Sequence, residues 1–528
     1  MRRFPWSPVL ALLFTVILFR GWTALPLGIA GEWTWERILW NDQNRAEALW
    51  GICLALIAGA LYVGFAFWGT EYFPSSDALH GTKQRRVRAG LWLCGLWIIA
   101  NGWVLALQQS PPEPYNLTKA AWVTYYPSTS GYYFHARYRI AEPSSFLAEY
   151  EAWMREGDVL HVGTHPPGLY LLNFAVLRLC ERSPVLTDAL IASTPGEIER
   201  GLDDVNRHLR ASPRELRPSD RAALWGMILF TQAVALAAVF PLYGLVRYHF
   251  SSQTAWQAAT LWPLIPALNV FLPKSDTLYP FVTLLLIWCA LQAVRRNSWL
   301  WGCCAGFVLW TGLTMSLALL PGFVLTTLLI AWEVLLAYRS GPNRAHEPAA
   351  TMPDAKRRIA LLAAMGATFV FLVTAVWWLA DLNLWNCWRL NLQNHAGFYA
   401  HYSRTYWKWL LVNPLESAFA FGLPVTFAAA AFYGRARANF SRLPYAAWGP
   451  LVCCPAVWGL LWLSGKNMGE AARLWIFLLP WGLWILAPRV RDRTAANSQR
   501  DYLWLIIAQM LATIVTVTGV SGFHFLQF

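Results

Sequence analysis

Charge is scarce in this sequence. Of its 528 residues only 13% are Asp, Glu, Lys or Arg, against 57% hydrophobic, a balance that excludes a soluble globular domain and points to a polytopic membrane protein. Neither a P-loop nor a GxGxxG stretch occurs, so nucleotide chemistry at the inner face has no support. Cysteine is sparse as well. Eight of the nine (Cys53, Cys94, Cys180, Cys289, Cys303, Cys304, Cys453 and Cys454) sit in apolar runs and only Cys387 in a polar connection, which leaves neither a disulfide framework nor metal-ligand spacing. The N-terminal MRRFPWSPVLALLF has a charged start and an apolar run but no small-residue cleavage site, so it reads as a retained first helix.

What the chain has instead is apolar length and aromatic rings, 33 Trp, 20 Tyr and 28 Phe among them. A hydrocarbon layer about 30 Å thick demands runs of roughly 17 to 25 apolar residues. Candidates recur at about 8–30, 48–69, 88–107, 166–180, 222–245, 252–272, 277–294, 298–316, 318–337, 358–380, 415–433, 445–464, 471–487 and 502–520. The expected fold is therefore an all-α membrane protein with about 13 to 14 transmembrane helices.

The net charge of +13 is accounted for by topology rather than by nucleic acid, because short basic connections mark the cytoplasmic side. These are Arg2 and Arg3, Lys83 to Arg88, Arg295 and Arg296, the group around Arg339, Arg344, Lys356, Arg357 and Arg358, then Arg435, Arg437 and Arg442, and finally Arg489 to Arg500. Counting from the N-terminus puts the connection 108–165 outside and 181–221 inside. Counting back from the C-terminus puts 381–414, 465–470 and Lys274 to Asp276 outside. The two counts disagree by one crossing, and Pro263 and Pro266 in the middle of an apolar run suggest why. Proline breaks a helix there, so 252–273 is expected to be a re-entrant pair of short helices, with a kinked spanning helix as the alternative.

The outer connections carry the unusual chemistry. Within 108–165, Phe146, Leu147, Tyr150, Trp153 and Met154 recur at helical spacing between Glu149, Glu151, Arg155 and Glu156, which predicts a short interfacial helix. In 381–414, Trp385, Trp388, Trp407 and Trp409 accompany Arg389, His395, His401, Arg404 and Lys408. An aromatic belt explains many of the rings; the outer cations are what an anionic phosphate would need. The stretch SGKNMGEAARLW sets Glu470 and Arg473 at the start of an apolar run, a costly place for charge, although an Arg near a helix end can also snorkel.

The element HPPG at His165 to Gly168 opens a helix after the long outer connection, Asp276 in PKSDTLYPF follows a broken apolar stretch, and Arg473 in EAARLWIFLLP starts a late helix. On these three motifs the chain resembles the C-type glycosyltransferase superfamily, in particular the branch of protein O-mannosyltransferases and aminoarabinose transferases. The resemblance covers roughly 88–490, with two helices in 1–87 before it and one in 491–528 after it. It implies an inverting enzyme that moves a sugar from a polyprenyl-phosphate donor to a protein, lipid or glycan acceptor at the outer face of a bacterial cytoplasmic membrane. Such a reaction needs a general base, cations for the leaving phosphate and an aromatic-lined groove. The resemblance leaves a divalent cation open, since some members use one, but no Asp-x-Asp or Glu-x-x-His cluster suggests ligands. One departure stands out: the superfamily's acid near the start of the first outer loop has no counterpart in STSGYYFHARY. Asp158, or failing it Glu149, is then the candidate base, with His165 binding acceptor or phosphate unless it is merely a helix-entry residue. Lys274, Arg404 and Arg473 are candidates for the phosphate with Asp276 orienting a cation, and His395, Glu470 and Trp407 for sugar or acceptor. An O-antigen ligase or polymerase, a secondary transporter, and a structural membrane subunit are the alternatives.

Overall fold

The computed structural model describes residues 6–22, 24–73, 83–157, 161–209, 214–340, 355–433, 447–491 and 495–523. Helix dominates. The first third contains α1 (Trp6–Val16), α2 (Asp42–Tyr72), α3 (Lys83–Gln108), α4 (Lys119–Tyr125), α5 (Tyr132–Tyr138), α6 (Pro143–Arg155), α7 (Gly168–Arg182), α8 (Pro184–Ala192) and α9 (Gly196–Leu209). The middle contains α10 (Pro218–Ala237), α11 (Val239–His249), α12 (Ser252–Leu261), α13 (Pro266–Phe271), α14 (Tyr279–Arg296), α15 (Trp299–Met315), α16 (Leu320–Ser340) and α17 (Ala355–Ala380). Then follow α18 (Leu384–His401), α19 (Tyr406–Phe421), α20 (Leu423–Tyr433), α21 (Trp448–Leu463), α22 (Ala471–Leu474), α23 (Leu479–Arg491) and α24 (Ala495–Gly519).

Among the described residues seven helical runs are long and apolar enough to cross a membrane, or eight with the pair Tyr406–Phe421 and Leu423–Ala431, which is bent by 109°. Four further apolar helices, Ser7–Gly21, Trp299–Met315, Trp448–Leu463 and Ile476–Ala487, are shorter. By length and apolarity the spans are thus fewer than the 13 to 14 expected. The protein is an all-α, multi-pass membrane protein by this measure. Its centre is α14, since 78% of the apolar window of Ser275–Arg296 is buried against 22% of that of Arg357–Ala380.

The hairpin of α2 and α3 defines two ends. We call upper the end that holds Asp42 and Gln108, and lower the end that holds Tyr72 and Lys83. Against this ruler 252–273 can be read directly: Gln253 donates to Thr70 O (2.9 Å), Trp256 to Ala66 O (2.8 Å), Tyr62 to Thr260 O (2.6 Å) and Gln108 to Asn269 O (2.5 Å). The segment climbs once from the lower to the upper end, so the expected re-entrant excursion is corrected to a broken crossing. The break itself falls at Trp262–Ile265, where the prolines put it. Its freed carbonyls are covered by protein: Asn269 Nδ2 donates to Pro263 O and Ile265 O, and Gln509 Nε2 and Thr513 Oγ1 donate to Leu264 O. Irregular backbone at membrane depth survives only with such partners.

The second correction removes the parity problem. The stretch 181–221, expected on the inner side, lies at the upper end with 108–165, because Asp220 takes Arg137 Nε at 2.8 Å and the Tyr133 hydroxyl at 2.8 Å, while Arg200 reaches Glu47 at 3.5 Å and Glu113 at 3.8 Å. Helix α7 is not among the helices long and apolar enough to cross. At 15 residues it is about 22 Å long, and its apolar stripe (Leu169, Tyr170, Leu177, Cys180) is buried against α5 and α10. Then α10 descends beside α3, with Trp97 donating to Ala233 O at 2.8 Å, and α12 and α13 bring the chain back up.

The flanks 1–87 and 491–528 close on one another: α1 packs on α20 and α24, and the strand Glu36–Arg37 pairs antiparallel with Val520–Ser521. Arg37 donates to Leu18 O, Phe19 O, Trp22 O and Leu25 O, carbonyls in and just after the last turn of the first helical run, Ile17–Gly21. The expected outer loop 381–414 is itself two helices, α18 and the start of α19. In α19 the carbonyl of Leu410, orphaned by Pro414, takes the Trp462 indole at 2.8 Å. Of the basic connections, Arg2, Arg3, Arg344, Arg435, Arg437, Arg442 and Arg493 lie outside the described residues. Arg358, expected in a basic loop, is instead 2% exposed and 3.5 Å from Glu333.

Candidate functional site

A cluster of ionisable groups is assembled at the upper end from segments far apart in sequence. A 3₁₀ turn, Ser275–Leu278, leads into α14 and holds Asp276, which is 7% exposed. Arg473 lies on the short α22 and contacts two carboxylates, Glu470 Oε2 at 2.6 Å and Asp276 Oδ2, from Nε, at 3.6 Å. Glu470 reaches Arg473 from a left-handed backbone (φ 55°), a conformation that costs a non-glycine residue of order 1 kcal/mol and persists only where the surroundings hold it. The loop before it is full of such turns, at Gly465 (φ 66°), Asn467 (φ 60°) and Gly469 (φ 82°). A Cβ on Gly469 would stand 3.2 Å from Arg404 Nε and 3.3 Å from Trp409, so glycine there lets Arg404 approach the loop.

Lys274 donates from Nζ to the Thr129 carbonyl, which ties the first upper connection to the entrance of α14. Burial and the Arg473 charge lower its ammonium to about 8, with Asp276 and Glu470 pulling the other way. Tyr132, 5% exposed, opens α5 and lies beside Ser275, Asp276 and Arg473. Its ring meets His165 edge-on at 5.7 Å and His161 at 6.4 Å. The His165 Nδ1 lies 3.3 Å from the His161 carbonyl and 3.2 Å from the Thr164 hydroxyl. A proton on Nδ1 satisfies that carbonyl and leaves Nε2 as an acceptor. Burial lowers this imidazole to about 4, Lys274 and His395 adding to the effect and Asp276 opposing it, so it is neutral at pH 7. His395 on α18 is itself lowered by burial and by Lys466.

The structure thus brings together His165, Lys274, Asp276, Glu470 and Arg473, with His395 and Arg404 at the rim. It does not bring in two others. Glu149 is exposed on the outer side of α6, whose buried residues are Phe146, Tyr150 and Met154, and Trp407 is 62% exposed in a stripe with Leu411 (65%) and Leu415 (59%). That stripe, spaced at i, i+4 and i+8, is an exposed apolar face of α19 rather than part of the cluster. Asp158 lies outside the described residues.

No known protein-family model and no curated protein matches this chain.

Two further groups at the cluster, Tyr132 and Glu416, are not among the residues the sequence motifs point to. Tyr132 belongs to the very stretch singled out for lacking an acid, and no spacing signal marks a lone tyrosine. Glu416 had a signal, being an acid inside the apolar run LLVNPLESAFAFG. It is 6% exposed and accepts the Trp35 indole at 3.1 Å, Ala472 N at 3.1 Å and Ala471 N at 3.3 Å. A second latch runs the other way. Glu32 accepts from Thr405 Oγ1 (2.6 Å), Thr405 N (2.9 Å) and Trp409 Nε1 (2.7 Å), with Lys408 at 3.5 Å. Desolvation opposes its charge, but these donors hold the carboxyl down at about 2.

Among the described residues no three His, Cys, Asp or Glu side chains converge as metal ligands. Asp276 and Glu470 both face the Arg473 guanidinium, whose charge occupies the place a divalent cation between them would need. These residues do not fit a metal.

Proposed function

We propose that this chain is an inverting membrane glycosyltransferase that takes a sugar from a polyprenyl-phosphate donor and transfers it to an acceptor hydroxyl at the upper end of the bundle. In this reading the protein sits in a bacterial cytoplasmic membrane with the upper end facing outward, and thirteen crossings alternate: α1, α2, α3, α10 with α11, α12 with α13, α14, α15, α16, α17, α19 with α20, α21, α23 and α24. The observation that carries the reading is the pairing of Arg473 with Asp276 beside Lys274, buried where helices begin. A phosphate is the ligand that such a guanidinium and ammonium suit. Buried charge of this kind at the entrance of an apolar helix is costly without a function.

The geometry favours Asp276 over Glu149 as the base. At 3.6 Å from Arg473 the Asp276 carboxylate keeps oxygen lone pairs free, whereas Glu470 at 2.6 Å is committed to the guanidinium. The acceptor hydroxyl gives its proton to Asp276 as its oxygen forms a bond to the anomeric carbon. The bond from that carbon to the phosphate oxygen breaks, and the electron pair leaves with the phosphate. Lys274 and Arg473 take up the charge that develops. His165, neutral and with Nε2 as an acceptor, orients a hydroxyl of sugar or acceptor.

The test is transfer of labelled sugar from polyprenyl-phosphate donors in membranes. Asp276→Asn should lower turnover at least 100-fold, and Arg473→Ala should lower turnover and donor affinity together. Wild-type transfer by both variants would refute the site; no transfer by the wild type with any polyprenyl-phosphate sugar would refute the function.

A further inference from the structure

We infer that Glu416 is a positioning residue for Arg473, acting through the backbone of α22; the inference rests on the reading of Arg473 as a phosphate ligand. Arg473 sits two residues into a turn whose first two N–H groups, Ala471 and Ala472, both point at the Glu416 carboxylate. Four residues make too short a helix to hold its own direction. Its entry is a left-handed Glu470 preceded by the left-handed Gly469, so the chain before it supplies no rigid lead-in. The direction of Arg473 is therefore set from outside, by an acceptor that takes both N–H groups at once and lies on a different helix.

Only a carboxylate does this. Oε1 accepts from Trp35 Nε1 and Ala472 N, and Oε2 accepts from Ala471 N, so both oxygens face donors. In Glu416→Gln one of those positions becomes an NH₂ facing an N–H, which loses a charge-assisted bond and adds a repulsive contact. The turn rotates to relieve it. Arg473 then leaves its place between Glu470 and Asp276. The Trp35 bond is separable, because it joins Glu416 to the segment after α1 and not to α22.

The experiment is binding of farnesyl phosphate to the full-length, detergent-solubilised protein, with thermal midpoints measured alongside. Glu416→Gln should weaken binding about tenfold, which corresponds to about 1.4 kcal/mol. The same change placed in an Arg473→Gln background should weaken it no further, and Trp35→Phe should bind as wild type. A purely structural role would make Glu416→Gln weaken binding in both backgrounds, or make Trp35→Phe as damaging as Glu416→Gln; either result overturns the inference. If Arg473→Gln loses binding while Glu416→Gln keeps it, this inference alone fails. If Arg473→Gln itself binds normally, the phosphate reading fails and takes this one with it. Should Glu416→Gln not yield a folded protein, Glu416→Asp, which keeps the charge but falls a methylene short of α22, carries the same expectations.

Discussion

Gln509 on α24 holds both broken elements of the bundle at once, and replacing it with leucine should expose what that is worth. Its Nε2 donates to Leu264 O at 3.0 Å in the break between α12 and α13 and to Phe421 O at 3.0 Å in the bend between α19 and α20. Its Oε1 accepts from Val425 N at 3.3 Å. The side chain is fully buried. Leu264 O keeps a second donor in Thr513, so Gln509→Leu leaves two groups without this partner, Phe421 O and Val425 N. A buried group left unsatisfied costs about 1 to 3 kcal/mol, which gives an upper figure of about 6 kcal/mol. Interhelical hydrogen bonds in membrane proteins average nearer 0.6 kcal/mol each, which for three bonds gives a lower figure of about 2 kcal/mol. The expected loss is between these bounds, and Thr513→Val should cost less because Gln509 still covers Leu264 O. Equilibrium unfolding in mixed micelles measures both. A loss under about 0.5 kcal/mol for Gln509→Leu would mean that the breaks are self-sufficient and that α24 does not hold them.

Three further predictions follow from the cluster and the bend. Burial first, then Lys274 and His395, depress His165 from an ordinary 6.5 to about 4, so the unfolded chain takes up this proton before the folded one does. Its contribution is complete above about 6.5, is lost as the pH falls from there towards 4, and reaches at most about 3 kcal/mol; His165→Asn should remove that slope from a pH series of thermal midpoints, and an unchanged slope would refute it. Lys274, lowered to about 8, is charged below that value and neutral above it, so farnesyl phosphate binding should weaken as the pH rises through 8, and Lys274→Arg should abolish the decline, which titrations at several pH values would detect. Gly422 has φ 93° and an added Cβ would lie 2.1 Å from the Gln509 amide, so Gly422→Ala should lower the unfolding free energy by more than about 2 kcal/mol; a variant as stable as wild type would show that the 109° bend relaxes freely.

Much of the upper end was legible before the structure. Pro263 and Pro266 marked the break because proline removes a helix bond wherever it stands, Glu470 and Arg473 stood out because charge at the start of an apolar run is costly, and Asp276 and Lys274 were reached through the resemblance and the reaction it implies. Topology was less legible. The run 166–180 reads as a span by hydropathy alone, since burial against α5 and α10 selects the same residues as burial in lipid, and the contacts of Asp220 with Arg137 and Tyr133 and of Arg200 with Glu47 and Glu113 separate the two cases.

By itself the sequence determined the all-helical membrane character, the position of the proline break and which charged groups stand at helix entrances, because these depend on composition and on neighbours a few residues away. The tertiary structure decided the rest. It put 181–221 at the same end as 108–165, turned Trp407 and Glu149 away from the cluster, brought Tyr132 into it, and set Glu416 beneath the turn that carries Arg473. Those choices depend on which helix faces cover one another and on pairs such as Lys274 with Thr129 or Glu416 with Ala471, separated along the chain by long stretches over which no local periodicity extends.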